Sequence, residues 1–241
     1  MDFSNSYKDE IRASSYTTLQ FHNDYFLAFR DLPHLFKTYV KGTNALDFGC
    51  GTGRSTRFLE KQGFKTIGID ISPEMIQLAK KTDPKGTYYL VDDGEYHILK
   101  QENFDLILSA FTFDNIPQYK KPVVIKGLIN LLKKEGILIN LVSSPEMYTH
   151  EWASFSTKDF PENKHAKDGD VIPIITTEFK DQRPCYDIFC SPEAYQQIFS
   201  QVGLTLLQTE KPLATGEEPY QWTHETQIAP WTIYVLKKEE I

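Results

Sequence analysis

The 241-residue chain is 40% hydrophobic and 24% charged, a balance typical of a soluble globular protein with a substantial core rather than a disordered chain. Its formal net charge of -7, with no stretch concentrating Lys or Arg, excludes a phosphate backbone as an attractive partner, so nucleic acid is not expected. No window approaches ~18 uninterrupted apolar residues, and the opening "MDFSNSYKDEIRASSY" is too polar for a signal peptide; a cytoplasmic protein without membrane contact is expected.

The first 40 residues read as mostly helical and are rich in aromatics, among them Tyr7, Tyr16, Phe21, Tyr25, Phe26 and Phe29. From 45 to 145 apolar runs alternate with helical patterns, the signature of a parallel sheet with helices on both faces. "NALDFG" (44–49) is a strand, "RSTRFLEKQG" a helix closed by Gly63, and "FKTIGIDI" a second strand. Ser72 suits an N-cap and Pro73 the first helical position, with the helix running to Lys81. "TYYLVDD" (87–93) and "FDLILSAF" (104–111) are the third and fourth strands. An amphipathic helix is expected between Lys121 and Gly136, with Val124, Leu128, Leu131 and Leu132 on its apolar side, followed by a buried strand "GILINLV".

After Pro145 the periodicity is lost in "EMYTHEWASFSTKDFPENKHAKDGD", an insertion of the length of a lid or binding loop. "VIPIITTEF" and "RPCYDIF" pair as antiparallel strands. Ser191 caps a helix ending at Gly203, and "LTLLQTEKPL" and "PWTIYVLKK" close the fold. Cys50, Cys185 and Cys190 match neither a zinc knuckle nor a CxxC pair and read as reduced, structural thiols.

The stretch "LDFGCGTGRSTRFLE" (46–60) places Gly49, Gly51 and Gly53 at a strand-to-helix turn. Glycine there reaches positive φ without strain and lets a ligand touch the main chain. No lysine follows Gly53, which excludes a P-loop, and GxGxG spacing differs from the dinucleotide GxGxxG. Asp47, in the strand before the glycines, would repel a pyrophosphate and favour a cationic group. Asp70 closes the second strand, where a carboxylate meets a ribose diol. Asp93 with Gly94, after the third strand, offers a carboxylate and a bare amide suited to an adenine.

"LDFGCGTG", "IGIDIS", "LVDDGE" and "FDLILSAFTFDNIP", in this order, resemble motifs I to IV of the class I S-adenosylmethionine-dependent methyltransferases, over about 45–145. The resemblance implies S-adenosyl-L-methionine as cofactor, with Gly49, Gly51 and Gly53 along its methionine moiety and Asp47 near the amino group. It further implies Asp70 at the ribose, Ile71 as a cofactor contact, Asp93 and Gly94 at the adenine, Ser109 and Ala110 beside the sulfonium, and Tyr16 of the "RASSY" element over the cofactor. The implied fold is α/β: a seven-stranded, doubly wound Rossmann-like sheet of order 3-2-1-4-5-7-6 with an antiparallel last strand, an N-terminal helical cap and an inserted lid. One domain is expected over 1–241: cap 1–43, cofactor-binding core 44–145, substrate lid 146–190, and closing helix and strands 191–241.

Methyl transfer from a sulfonium needs alignment above all, and a base only where the acceptor carries a proton to be lost. The loop "FTFDNIP" faces the acceptor's expected place, which makes Phe111 and Phe113 substrate contacts. Asp114 reads as a base, a counter-ion for an amine, or a loop-capping acid, and Asn115 as an orienting amide. His150 beside Glu151 reads as a base with its orienter or as a surface histidine. Tyr148, Trp152 and Phe155 have the spacing of one helix face, either core or the wall of an aromatic pocket. Tyr220 and Trp222 either close over a substrate or meet a second copy. "VSSP" after the fifth strand supplies no carboxylate, so no metal is expected. The expected partner is a small-molecule acceptor methylated on N, O or C, the chain being a monomer or homodimer. A non-catalytic S-adenosylmethionine-binding regulator and an NAD-dependent oxidoreductase are the alternatives.

Overall fold

A computed structural model describes residues 21–92, 94–99, 104–178 and 181–239. Strands β1 (Asn44–Phe48), β2 (Lys65–Asp70), β3 (Thr87–Leu90), β4 (Phe104–Ala110), β5 (Leu132–Ser143), β9 (Leu204–Glu210) and β10 (Trp231–Lys238) form one sheet in the order β3-β2-β1-β4-β5-β10-β9. The first five run parallel, and β10 runs antiparallel to both of its neighbours. In order and direction this is the sheet expected from the sequence. β6 (Phe155–Ser156), β7 (Val171–Thr176) and β8 (Cys185–Ile188) form a second, antiparallel sheet.

Strand alternation divides the core between the two faces of the large sheet. On one face Leu106, Leu108, Ile139, Leu141, Ile233 and Val235 pack with helices α1 (Asp24–Arg30), α2 (Leu32–Tyr39) and α3 (Arg54–Lys61). On the other, Phe104, Ile107, Leu138, Val142, Tyr234 and Leu236 pack with α5 (Lys121–Ile129) and α6 (Pro192–Gln201). Helix α4 (Pro73–Thr82) covers Tyr88 of β3 through Ile76 and Ala79. It starts as its sequence dictates, with Pro73 at the first position and the Ser72 hydroxyl accepting the Met75 N–H at 3.2 Å. Ser191 caps α6 in the same way. Among the described residues no helix is long and apolar enough to cross a membrane, and the three cysteines are buried free thiols.

Two segments depart from expectation. The helix from Lys121 ends at Ile129, because Leu131 and Leu132 are drawn into the sheet: the Phe104 N–H bonds the Leu131 carbonyl and Phe104 pairs with Leu132. Tyr148, Trp152 and Phe155 share no helix. Tyr148 ends a short 3-10 turn, Trp152 lies in irregular chain and Phe155 opens β6. All three are buried with Ile172 and Ile174 in the core shared with α1, so this part of the insertion folds down onto the sheet. Buried carboxyls tie it there. Asp24 of α1 accepts the Ser154 N–H at 2.6 Å, and Glu225 accepts the Ala153 N–H at 2.6 Å. Burial and the neighbouring Glu225 push the Asp24 carboxyl well up.

Candidate functional site

The loop between β1 and α3 curls at the C-terminal edge of the parallel strands, where open α/β sheets bind ligands. The N–H groups of Gly49 and Cys50 both reach the Ile69 carbonyl at 2.9 Å, and Gly49, Gly51 and Gly53 all take positive φ. The three glycines answer different needs. A Cβ on Gly49 would lie 2.2 Å from the Thr112 hydroxyl and one on Gly53 would lie 2.6 Å from the Tyr88 hydroxyl, whereas at Gly51 only the Met75 sulfur comes within 4.0 Å. Gly51 is thus the position that stays bare towards open space.

That space is a cavity at the C-terminal ends of β1, β2 and β4. Gly49, Gly51, Asp70, Ile71, Gly94, Ala110, Phe111 and Asn115 lie on its wall, as their sequence positions suggest. Asp70 ends β2 with one carboxylate oxygen accepting the Gly51 N–H at 2.8 Å and the other the Ser72 N–H at 2.9 Å. Burial raises its pKa and these main-chain donors oppose the rise.

The other expected residues lie elsewhere. Tyr16 and Asp93 fall outside the described residues. Asp47 sits fully buried behind the loop, off the wall, one carboxylate oxygen accepting from the Ser55 and Thr56 hydroxyls at 2.7 and 2.6 Å. Burial pushes its pKa to about 6, and its other oxygen has no partner among the described residues. Gly53 packs under Tyr88 rather than against the cavity. Ser109 is fully buried inside the sheet, one residue out of phase with Ala110 on the wall. Phe113 is core beside Phe48. His150 and Glu151 do not pair: the His150 ring contacts the Thr149 hydroxyl and the Glu146 carbonyl, and Glu151 accepts from Ser156 and Thr157. Neither Tyr148 nor Trp152 reaches the wall, because their polar ends bond Asp187 and the Met147 carbonyl inside the core. Among the described residues, 146–190 contributes nothing to the cavity lining.

Asp114 is likewise turned inward, accepting from the main-chain N–H and hydroxyl of Ser143 at 3.0 and 3.1 Å. It belongs to a buried charged cluster beneath the loop 113–116. Lys121, fully buried, donates to the carbonyls of Phe113 and Ile116 at 2.8 and 2.9 Å, and Tyr148 donates to Asp187 at 3.1 Å. Burial raises Asp114 to about 6; burial with the nearby Asp114 charge raises Asp187 to about 8. Burial works against every charge in this cluster, and Lys121 and Asp114 each favour the other's charged form.

Phe111 follows β4 with φ 64, a conformation that costs a non-glycine residue ~1–3 kcal/mol and concentrates at functional sites. The Leu141 carbonyl receives its N–H at 2.8 Å, the Asn115 amide donates to its carbonyl at 3.2 Å, and its ring packs 4.7 Å from that of Trp231. Phe29, Arg54, Met75, Asp92 and Tyr96 also line the cavity without having been singled out from the sequence. Two carried a signal: Arg54 directly follows the third glycine, and Asp92 is next to Asp93.

Residues 46–140 match the methyltransferase domain family. The 2-methyl-6-phytyl-1,4-hydroquinone methyltransferase of Synechocystis sp. is 35% identical over 105 residues, covering 42% of this chain and 32% of that protein. The chain spans about half or less of the length of the curated relatives it matches. In fold it is similar to the CcbJ methyltransferase of Streptomyces caelestis (TM-score 0.69, 13% identity, 99% and 100% of the two chains). It is also similar to an S-adenosylmethionine-dependent methyltransferase of Clostridium acetobutylicum (0.62, 15%, 93% and 94%). The residues present fit S-adenosylmethionine: Gly51 leaves its main chain open to the cavity, the Asp70 carboxylate stands on the wall, and behind the loop one Asp47 oxygen has no partner among the described residues. Residues 46–140 are thus similar to the methyltransferase domain family, and the fold of the chain is similar to those of solved methyltransferases.

Proposed function

We propose that the chain transfers a methyl group from S-adenosylmethionine to a small-molecule acceptor. The observation that carries this reading is one continuous cavity, running from the Asp70 carboxylate across bare Gly51 to an end walled by Phe29, Phe111, Asn115 and Ile116. The hydroquinone named for the Synechocystis relative is in keeping with a partly apolar acceptor against aromatic rings.

Bound, S-adenosylmethionine supplies an electrophilic sulfonium methyl. This chain's residues supply position: Asp70 accepts from hydroxyls, the aromatic end excludes water, and the Asn115 amide, braced on the Phe111 carbonyl, orients the acceptor. Among the described residues, that end offers no carboxylate or imidazole. An acceptor that arrives with a free lone pair, or that loses its proton to water, suits it better than one needing a protein base.

Calorimetry with S-adenosylhomocysteine and with NAD tests the donor: binding of the first alone is expected, and binding of NAD alone would overturn the reading. Incubation with labelled donor and a metabolite extract should move label into a small molecule; no transfer to any acceptor would leave a binding protein. Asp70→Ala should weaken S-adenosylhomocysteine by roughly 1–3 kcal/mol through lost hydroxyl contacts, and unchanged affinity in the folded variant would remove Asp70 from the ribose site.

A further inference from the structure

The two segments that form the cavity are anchored on opposite sides. The turn after β1 is held to β2, its Gly49 and Cys50 N–H groups on the Ile69 carbonyl and its Gly51 N–H on Asp70. The loop after β4 is held to β5, with the Phe111 N–H on the Leu141 carbonyl and the Asp114 carboxylate on Ser143. Pairing between β1 and β4 ends at Phe48 and Ser109, so beyond that point the ladder no longer ties turn to loop. We propose that Thr112 does so, as a positioning residue whose hydroxyl sets the distance between the donor turn and the acceptor wall. The inference rests on the methyl-transfer reading above.

Three observations point to Thr112. Its hydroxyl donates to the carbonyl of Phe48, the last residue of β1, at 2.8 Å, and lies 3.5 Å from the Gly49 carbonyl. Its side chain also fills the place where Gly49 lacks one: a Cβ there would lie 2.2 Å from the Thr112 hydroxyl and 2.4 Å from its methyl. Turn and loop are therefore interlocked by contact as well as by a hydrogen bond. Finally, Phe111 takes φ 64 immediately before Thr112, which breaks the course of β4 where the Thr112 side chain reaches back to β1. Asn115 closes the loop from the other side, its N–H on the Thr112 carbonyl at 3.0 Å and its amide on the Phe111 carbonyl at 3.2 Å. A displacement of Thr112 is thereby passed to both Phe111 and Asn115 on the wall.

In-line transfer tolerates little displacement, because a reacting constellation has to be held within ~0.5 Å and ~1 Å of misplacement costs on the order of a hundredfold in rate. A hydroxyl meets a carbonyl at 2.8 Å here, whereas a carbon atom stands off at ~3.3 Å or more. A methyl group in place of the hydroxyl thus moves the loop by roughly half an ångström, while the turn stays anchored on Ile69 and Asp70.

Labelled S-adenosylmethionine, titrated against a fixed amount of metabolite extract, tests the proposal in Thr112→Val and Thr112→Ser. Thr112→Val should lose roughly tenfold in apparent kcat. It should keep the wild-type KM for the donor and, by calorimetry, the wild-type affinity for S-adenosylhomocysteine, which also reports that the variant is folded. Thr112→Ser retains the hydroxyl and should transfer at close to the wild-type rate. Undiminished kcat in Thr112→Val would overturn the proposal, as would a Thr112→Ser variant just as slow. Equal losses in transfer and in S-adenosylhomocysteine affinity would overturn it too, by making the hydroxyl a donor contact, and a Thr112→Val chain that does not fold would make it a fastening of the fold. A wild type that binds S-adenosylhomocysteine yet moves no label would instead overturn the transferase reading beneath the proposal.

Discussion

Lys121→Met is expected to destabilise the folded chain by roughly 3–5 kcal/mol, the cost of removing one partner from a buried charged group. Two carbonyls, those of Phe113 and Ile116, lose their ammonium donor, and ionised Asp114 loses its counter-charge in a site from which water is excluded. For a chain of this size the melting temperature should fall by on the order of 10 °C, measured by thermal unfolding with denaturant midpoints as a check. Adding Asp114→Asn should recover part of the loss, since an amide can still accept the Ser143 N–H without needing a cation. The deficit should also shrink as pH falls through about 6, where Asp114 becomes neutral. A melting temperature within about 2 °C of wild type would mean that the ammonium is not a fastening of this loop.

The second large effect is the pH dependence of stability. Asp187, raised to about 8 by burial and the Asp114 charge, holds a proton in the folded state that the unfolded chain, with an ordinary value of about 3.9, releases. Its contribution is fully present below about pH 4 and is lost as pH rises through about 8, because across that window the folded state binds more protons. Each such group removes about 1.4 kcal/mol per pH unit within its window. Wild type should therefore weaken steadily from pH 5 to pH 8. Asp187→Asn, a neutral amide still in reach of the Tyr148 hydroxyl, should follow a shallower course. Denaturant midpoints at four pH values read the difference, and parallel profiles would mean that Asp187 is ionised in the fold.

The legible parts of this molecule were those governed by neighbours in sequence. Ser72 and Pro73 open a helix wherever they stand in this order, and the apolar runs "NALDF", "TIGID" and "DLILSA" became parallel strands whose C-terminal ends carry the cavity. Gly51 and Asp70 were legible as a pair because the turn after β1 and the end of β2 are brought together by the strand pairing itself. Asp114 was not legible: an acid in a loop at the sheet edge reads alike whether it faces a ligand or Ser143. Phe111 and Phe113 are two residues apart, yet one lines the cavity and the other is core, because the positive φ at Phe111 breaks the strand's alternation. Tyr148 and Trp152 had helical spacing but lie in irregular chain held by Asp187 and the Met147 carbonyl.

By itself the sequence determined the alternating strands and helices and the bare turn after β1, since strand and helix periodicity and a glycine turn are local properties; the sheet order and the class of donor came from the resemblance of its motifs. Only the tertiary structure decided which glycine stays open, which acids face the cavity and which lie buried behind it, and that Arg54 stands on the wall against Tyr25. Those outcomes depend on which side chains converge from α1, β4, β5 and α5. Convergence in space is set by the packing of distant segments, on which a residue's sequence neighbours carry no information.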